Sequence, residues 1–301
     1  MVQYDHEMPV GEDLADIYLS EFAIYMALSG KHKSIRTYIS MGPRILIESM
    51  GISFKKISER PSVARVLKSI ERVFGKKKNR KEPVTINDLR LMAKIMKGQT
   101  SLKMLTIWAA ILIAFFTLVR KSAYCAETQN TFDPIRQLQI KDLGMQNNRM
   151  YITLKKTKTI QTQERELQIM IPRLEGQDIC PTAAVMRMLK ARKQYGGEEP
   201  LFVVDTYHTP LTQYVFRKEF TAFLRNAGIP TDNKAPHSLR RGGTTCALES
   251  GCNPTCIKIQ GDWASDAYLI YVWVTDTLKM QMISTWEKAL GPGKNPGRMG
   301  T

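Results

Sequence analysis

The sequence predicts a mainly helical protein of two domains carrying one small β-sheet, and three observations lead there. Apolar residues recur at helical spacing over most of the chain. Between residues 138 and 172 the pattern changes to short alternating runs. A basic run flanked by Gly75 and Pro83 interrupts both patterns. With 301 residues the chain has length for two cores. The expected division is a helical domain over 1–82, ending in a basic linker at 75–83, and an α+β domain over 83–301 whose last part, 276–301, is a helix and tail.

In chain order, Leu14, Ile17, Tyr18, Phe22, Tyr25 and Met26 make the apolar stripe of a helix from Glu12 to Leu28, with Gly30 as its stop. A second helical stretch runs over 34–50, interrupted at Pro43. Pro61 opens a third, with Val63, Val66, Leu67, Ile70, Val73 and Phe74 on one stripe. The run GKKKNRKEP resists packing because its like charges repel; it suits DNA contact, an import signal or a solvated hinge. Beyond it, Leu89, Met92, Ile95 and Met96 mark a helix, and the apolar run 101–119 marks a buried one ending at Arg120. The runs LQIKDL, MYITLKK and RELQIMIP then read as strands, with Lys156 and Lys158 near a hairpin tip. Helices are expected over 182–195, 212–226, 238–251 and after the Asn253-Pro254 cap, with LFVVD a strand-like run between the first two. Ser265 caps a further turn carrying Tyr268 and Tyr271, and 276–290 forms the last helix.

The formal charge is +16 and unevenly spread. Residues 1–30 hold six acids and no Lys or Arg, whereas 31–81 hold fifteen Lys and Arg against three acids. Such an excess favours a polyanionic partner, since cationic side chains gain by releasing counterions from phosphates. Five scattered cysteines without a CxxC pair suit a reducing compartment and no metal site. The first residues lack the charged and apolar regions of a signal peptide, and the longest apolar run is short for a membrane span. No cofactor is expected.

The residues that carry chemistry cluster late. His237 and Arg240 stand three apart at the start of a helical pattern, which puts them on one face, and Trp263 and Tyr271 follow. An imidazole, a guanidinium, an indole N–H and a phenol suit a phosphate: donors for its oxygens, a proton carrier and an oxygen nucleophile. Arg120, placed after a buried helix, is either a surface cap or a charge held by rigid structure. A hairpin lysine is ordinarily surface decoration.

In this order, FTLVRKSA, KKTKTIQ, ICPTAAV, HSLRRGG and GDWASDAYLIYV resemble the tyrosine recombinases, the phage-integrase-like enzymes, and within them the Crypton and DIRS-type recombinases of eukaryotic mobile elements. The resemblance spans almost the whole chain. It implies an N-terminal SAM-like core-binding domain that clamps double-stranded DNA, and a catalytic domain using Arg120, Lys158, His237, Arg240, Trp263 and Tyr271. The arginines would clamp a scissile phosphodiester, Tyr271 attack phosphorus, His237 take the phenol proton, Lys158 protonate the leaving 5′ oxygen, and Trp263 donate its N–H. It further implies a homotetramer on DNA, a monomer or weak oligomer off it, no membrane association, and a nuclear location. Two alternatives stand beside it: a type IB topoisomerase-like relaxase, and a DNA-binding protein with weakened catalysis.

The chain departs from the family pattern at Ala123, which occupies the place of an acid three residues after the first arginine. Glu127 is a substitute if the helix continues that far. Lys158 is preferred to Lys156 for its TKT setting. Tyr271, eight residues after Trp263 where nine is common, competes with Tyr268.

Overall fold

The computed structural model describes residues 12–31, 34–41, 60–74, 81–157, 159–160 and 165–290. The chain divides into two compact units, Met1–Asn79 and Arg80–Thr301. It is mostly helical with one small sheet. Pro43 and the tail after Leu290 lie outside the described residues, as does most of the basic run.

In the first unit, α1 (Glu12–Leu28) packs on α2 (Pro61–Phe74), beside helical residues 35–41. Its core is Ala23, Met26, Ala27, Ile35, Ile39, Val63, Leu67 and Ile70. The buried face of α1 therefore differs from the expected stripe: Ile17, Tyr18, Phe22 and Tyr25 are exposed. Small alanines let α2 approach closely, which a pattern of large side chains does not reveal. The buried Arg60 guanidinium is neutralised by Asp16, whose other oxygen accepts from Ser62.

The second unit is built around α4. Thr85 caps α3 (Ile86–Ile95) through a reciprocal pair with Asp88: the Asp88 N–H donates to the Thr85 hydroxyl at 3.0 Å, and the Thr85 N–H to the carboxylate at 2.9 Å. Helix α4 (Leu102–Phe116) is buried from Leu105 to Phe115 and packs against α6 (Pro181–Arg192), α7 (Gln213–Asn226) and α8 (His237–Glu249). It stops short of the expected Val119. Thr117 Oγ1 donates to the Ile113 carbonyl at 2.6 Å, and Leu118 adopts φ 57°, a left-handed turn that reverses the chain. Arg120 is consequently the extended residue ahead of a four-residue helix, α5 (Lys121–Tyr124).

The sheet is an antiparallel meander of β1 (Leu143–Gln146), β2 (Arg149–Leu154) and β3 (Leu167–Met170), with Ile152 opposite both Leu143 and Ile169. The expected strand at 138–143 is corrected. Residues Ile140–Asp142 form a 3₁₀ turn because the Asp142 carboxylate accepts the Gln139 N–H at 2.8 Å. LFVVD makes a single isolated bridge, joining Val203 to Pro210. Short α9 (Pro254–Gln260) leads to a 3₁₀ turn at Asp266–Ile270, and α10 (Asp276–Leu290) closes the described chain.

Candidate active site

Two glycines on α8 bring the candidate residues together. A Cβ on Gly242 would lie 1.8 Å from the Val84 carbonyl oxygen, and one on Gly243 would lie 1.9 Å from that of Phe115. Only glycine permits this approach, which seats α8 against the end of α4. Its first turn carries His237 and Arg240 beside the chain reversal that carries Arg120.

Arg240 is 3% exposed. Its Nη1 donates to the Leu118 carbonyl and its Nη2 to that of Gly261 at 2.6 Å, so the two turns flanking the site hold it from both sides. Its buried Nε has no protein partner among the described residues. Burial, and then the charge of Arg120, lower the guanidinium pKa from its usual value, so a bound anion would relieve both. Arg120 donates from Nη1 to Asp262 Oδ2 at 2.8 Å and from Nη2 to the Asp262 carbonyl at 3.3 Å. Its other N–H groups have no protein acceptor among the described residues.

Trp263 is buried beneath Arg240, whose guanidinium carbon lies 3.9 Å from the indole ring centroid. The Trp263 ring covers Gly261, where a Cβ would lie 1.7 Å from it. Tyr271, the residue that caps the 3₁₀ turn, stands among these groups. Its ring centroid is 4.8 Å from that of His237, 5.2 Å from that of Trp263 and 5.1 Å from the Arg240 guanidinium carbon. Tyr268 is 7% exposed and packs on Trp263, 6.2 Å between ring centroids, and under Lys258; among the described residues it makes no ring contact with His237 or Arg240. Partial burial of the imidazole, followed by the charges of Arg240, Arg241 and Lys121, holds the His237 pKa below its ordinary value.

The structure thus brings together Arg120, His237, Arg240, Trp263 and Tyr271. Lys158 lies outside the described residues. Lys156 lines a cavity of about 470 Å³ shared with Arg120, Arg240, Arg136 and Asp262. A second cavity, about 600 Å³, also borders Arg120 and Arg240 and is lined by His237, Tyr271 and Lys121. Glu127 does not take the missing acid's place, because α5 ends at Tyr124 and Glu127 is exposed beyond it. Sequence reasoning missed Asp262. Its only signal was an acid between the glycine that ends a helix and a tryptophan.

Comparison with known proteins bears on this geometry. The Phage integrase family matches residues 131–276, a stretch holding His237, Arg240, Trp263 and Tyr271 and beginning after Arg120. No curated protein matches the chain significantly. Among solved structures, a Tn1549 transposon integrase in complex with transposon right end DNA has a TM-score of 0.57 at 15% identity, over 90% of this chain and 85% of that one. The XerH site-specific recombinase bound to its difH substrate gives 0.54 at 16%, over 92% and 72%. A lambda integrase dimer bound to a core site gives 0.53 at 17%, over 89% and 86%. Over residues 131–276, a little under half of its length, this chain is thus similar to the Phage integrase family, and its fold is similar to that of these recombinase and integrase structures.

Proposed function

We propose that the chain is a site-specific DNA recombinase that cleaves and rejoins strands through a 3′-phosphotyrosine. The observation that carries this reading is the position of the Tyr271 ring, beside His237 and Arg240 and lining one cavity with them and Arg120. In the step proposed, the phenolic oxygen attacks phosphorus, the bond from phosphorus to the 5′ oxygen breaks, and the nucleophile stays bound to the 3′ phosphate. His237 accepts the phenol proton, for which its lowered pKa keeps it neutral near pH 7. Arg120 and Arg240 meet the charge that builds on the non-bridging oxygens. Lys158 donates a proton to the departing 5′ oxygen. Trp263 fixes Arg240 by stacking, and its indole N–H is assigned to the phosphate. Rejoining reverses the step on a new 5′-hydroxyl, conserving the phosphate ester energy without ATP.

The same proposal takes double-stranded DNA as substrate, a view supported by the charge of +16 and by relatives solved with DNA. The first unit serves as the clamp, with 75–83 as linker. Four copies assemble on two sites, a view supported by the lambda integrase tetramer solved bound to a Holliday junction. The wording HSLRRGG and GDWASDAYLIYV favours the Crypton and DIRS-type branch, hence action in a nucleus. Among the described residues no helix is long and apolar enough to cross a membrane.

The test is trapping on a nicked duplex from which the short fragment bearing the released 5′-hydroxyl diffuses away. Wild type and Tyr268→Phe should accumulate a covalent protein–DNA adduct, and Tyr271→Phe none. An adduct surviving in Tyr271→Phe, or none with wild type, contradicts the reading.

A further inference from the structure

Ala123 leaves Arg120 without an acid on its own helical turn, yet the Arg120 guanidinium is held. Asp262 grips it twice, through Oδ2 and through its backbone carbonyl. The other carboxylate oxygen accepts the hydroxyl of Thr159. Thr159 is also within 3.1 Å of the Thr157 hydroxyl, so both residues flanking Lys158 in sequence are tied to this network. The Asp262 side chain is 5% exposed.

The backbone at this point is unusual for an acid. The Asp262 N–H donates to the Ile259 carbonyl at 3.1 Å and the Trp263 N–H to that of Lys258 at 3.0 Å, closing α9 with a Schellman arrangement. Its left-handed position is normally glycine, whereas Asp262 holds it at φ 53°. Helix termination alone does not call for a carboxylate here. Interactions with Arg120 and Thr159 do.

Resting on the recombinase reading above, we infer that Asp262 is a positioning residue for cleavage. It orients Arg120 toward the scissile phosphate and ties Thr159, between β2 and β3, to that arginine, supplying from the turn after α9 the acid that is missing at Ala123. Asp262 itself need not touch DNA. Its carboxylate occupies one edge of Arg120 and leaves the remaining N–H groups for the phosphate. Ala123 lines the same cavity as Arg120 and Asp262, so the replaced acid and its substitute face one space.

The experiment measures single-turnover adduct formation by the full chain on nicked duplex at saturating protein, together with duplex affinity and melting temperature. Asp262→Asn keeps the shape and tolerates the left-handed backbone, and Asp262→Gly suits that backbone better still. Both should slow adduct formation about 10- to 100-fold, as for a misplaced catalytic group, with affinity for uncleaved duplex within about threefold of wild type, a loss in rate rather than binding. In an Arg120→Ala background, followed over days, Asp262→Asn should cause no further slowing, because the residue it orients is gone. A purely structural role predicts that the losses multiply. The inference is overturned if adduct formation stays within about threefold of wild type, if the losses multiply across backgrounds, or if both variants lose DNA binding and melt early. Wild type forming no adduct is a distinct outcome: it removes the recombinase reading, and the role of Asp262 with it.

Discussion

His237 illustrates how its surroundings set a side chain's chemistry. Partial burial beside Tyr271 and three neighbouring cations depress its pKa, so the neutral, proton-accepting imidazole persists below the usual titration range. Adduct formation should therefore hold constant from pH 8 toward neutrality and decline only as pH falls through a value below about 6.5. His237→Gln should lower the plateau and abolish that decline, as read from single-turnover rates across pH. A rate that falls as pH rises through this range contradicts the assignment. Stability follows the same sign. The unfolded chain binds a proton at His237 more readily than the folded one, so folding weakens as pH drops below the unfolded value and recovers above it.

Helix α8 owes its place to Gly242 and Gly243, whose missing side chains admit the carbonyls of Val84 and Phe115. Gly243→Ala forces backbone apart, and should cost about 1–3 kcal/mol in chemical denaturation. Because the first turn of the same helix carries His237 and Arg240, the variant should also slow cleavage. A fully stable Gly243→Ala protein would show that α8 is seated otherwise. At this scale the sequence was partly legible. Periodicity identified α4, α8 and α10 because each has a long repeating pattern or clear caps. It ran α4 on to Val119 because Leu118 and Val119 are as apolar as the helix, and nothing in composition marks the left-handed turn at Leu118. It placed a strand at 138–143 because the alternation there does not reveal the Asp142 contact that closes a 3₁₀ turn. It assigned large residues of α1 to the core where the packed face is Ala23, Met26 and Ala27.

Across the whole molecule, the candidate site is assembled from segments distant in sequence: the turn after α4, the start of α8, and the stretch from Gly261 to Tyr271. Motif order was enough to nominate Arg120, His237, Arg240, Trp263 and Tyr271, because each stands beside recognisable neighbours such as HSLRRGG. Asp262 was not nominated, since its link to Arg120 joins residues 142 apart in sequence and has no local pattern. The overall charge of +16 makes a prediction of its own. Duplex binding should weaken on the order of a thousandfold between about 50 and 200 mM salt, as counterion release from several phosphate contacts requires. Binding that ignores salt would show that the positive charge does not face DNA.

The central claim is that Tyr271 becomes covalently joined to DNA, and mass spectrometry of the trapped adduct tests it most directly. The tryptic peptide from Ile259 to Lys279 contains both phenols, Tyr268 and Tyr271, so fragmentation must locate the modified residue. After nuclease digestion, the nucleotide remnant should sit on Tyr271 and leave Tyr268 unmodified. A remnant on Tyr268, or on a residue outside this peptide, would contradict the site described here.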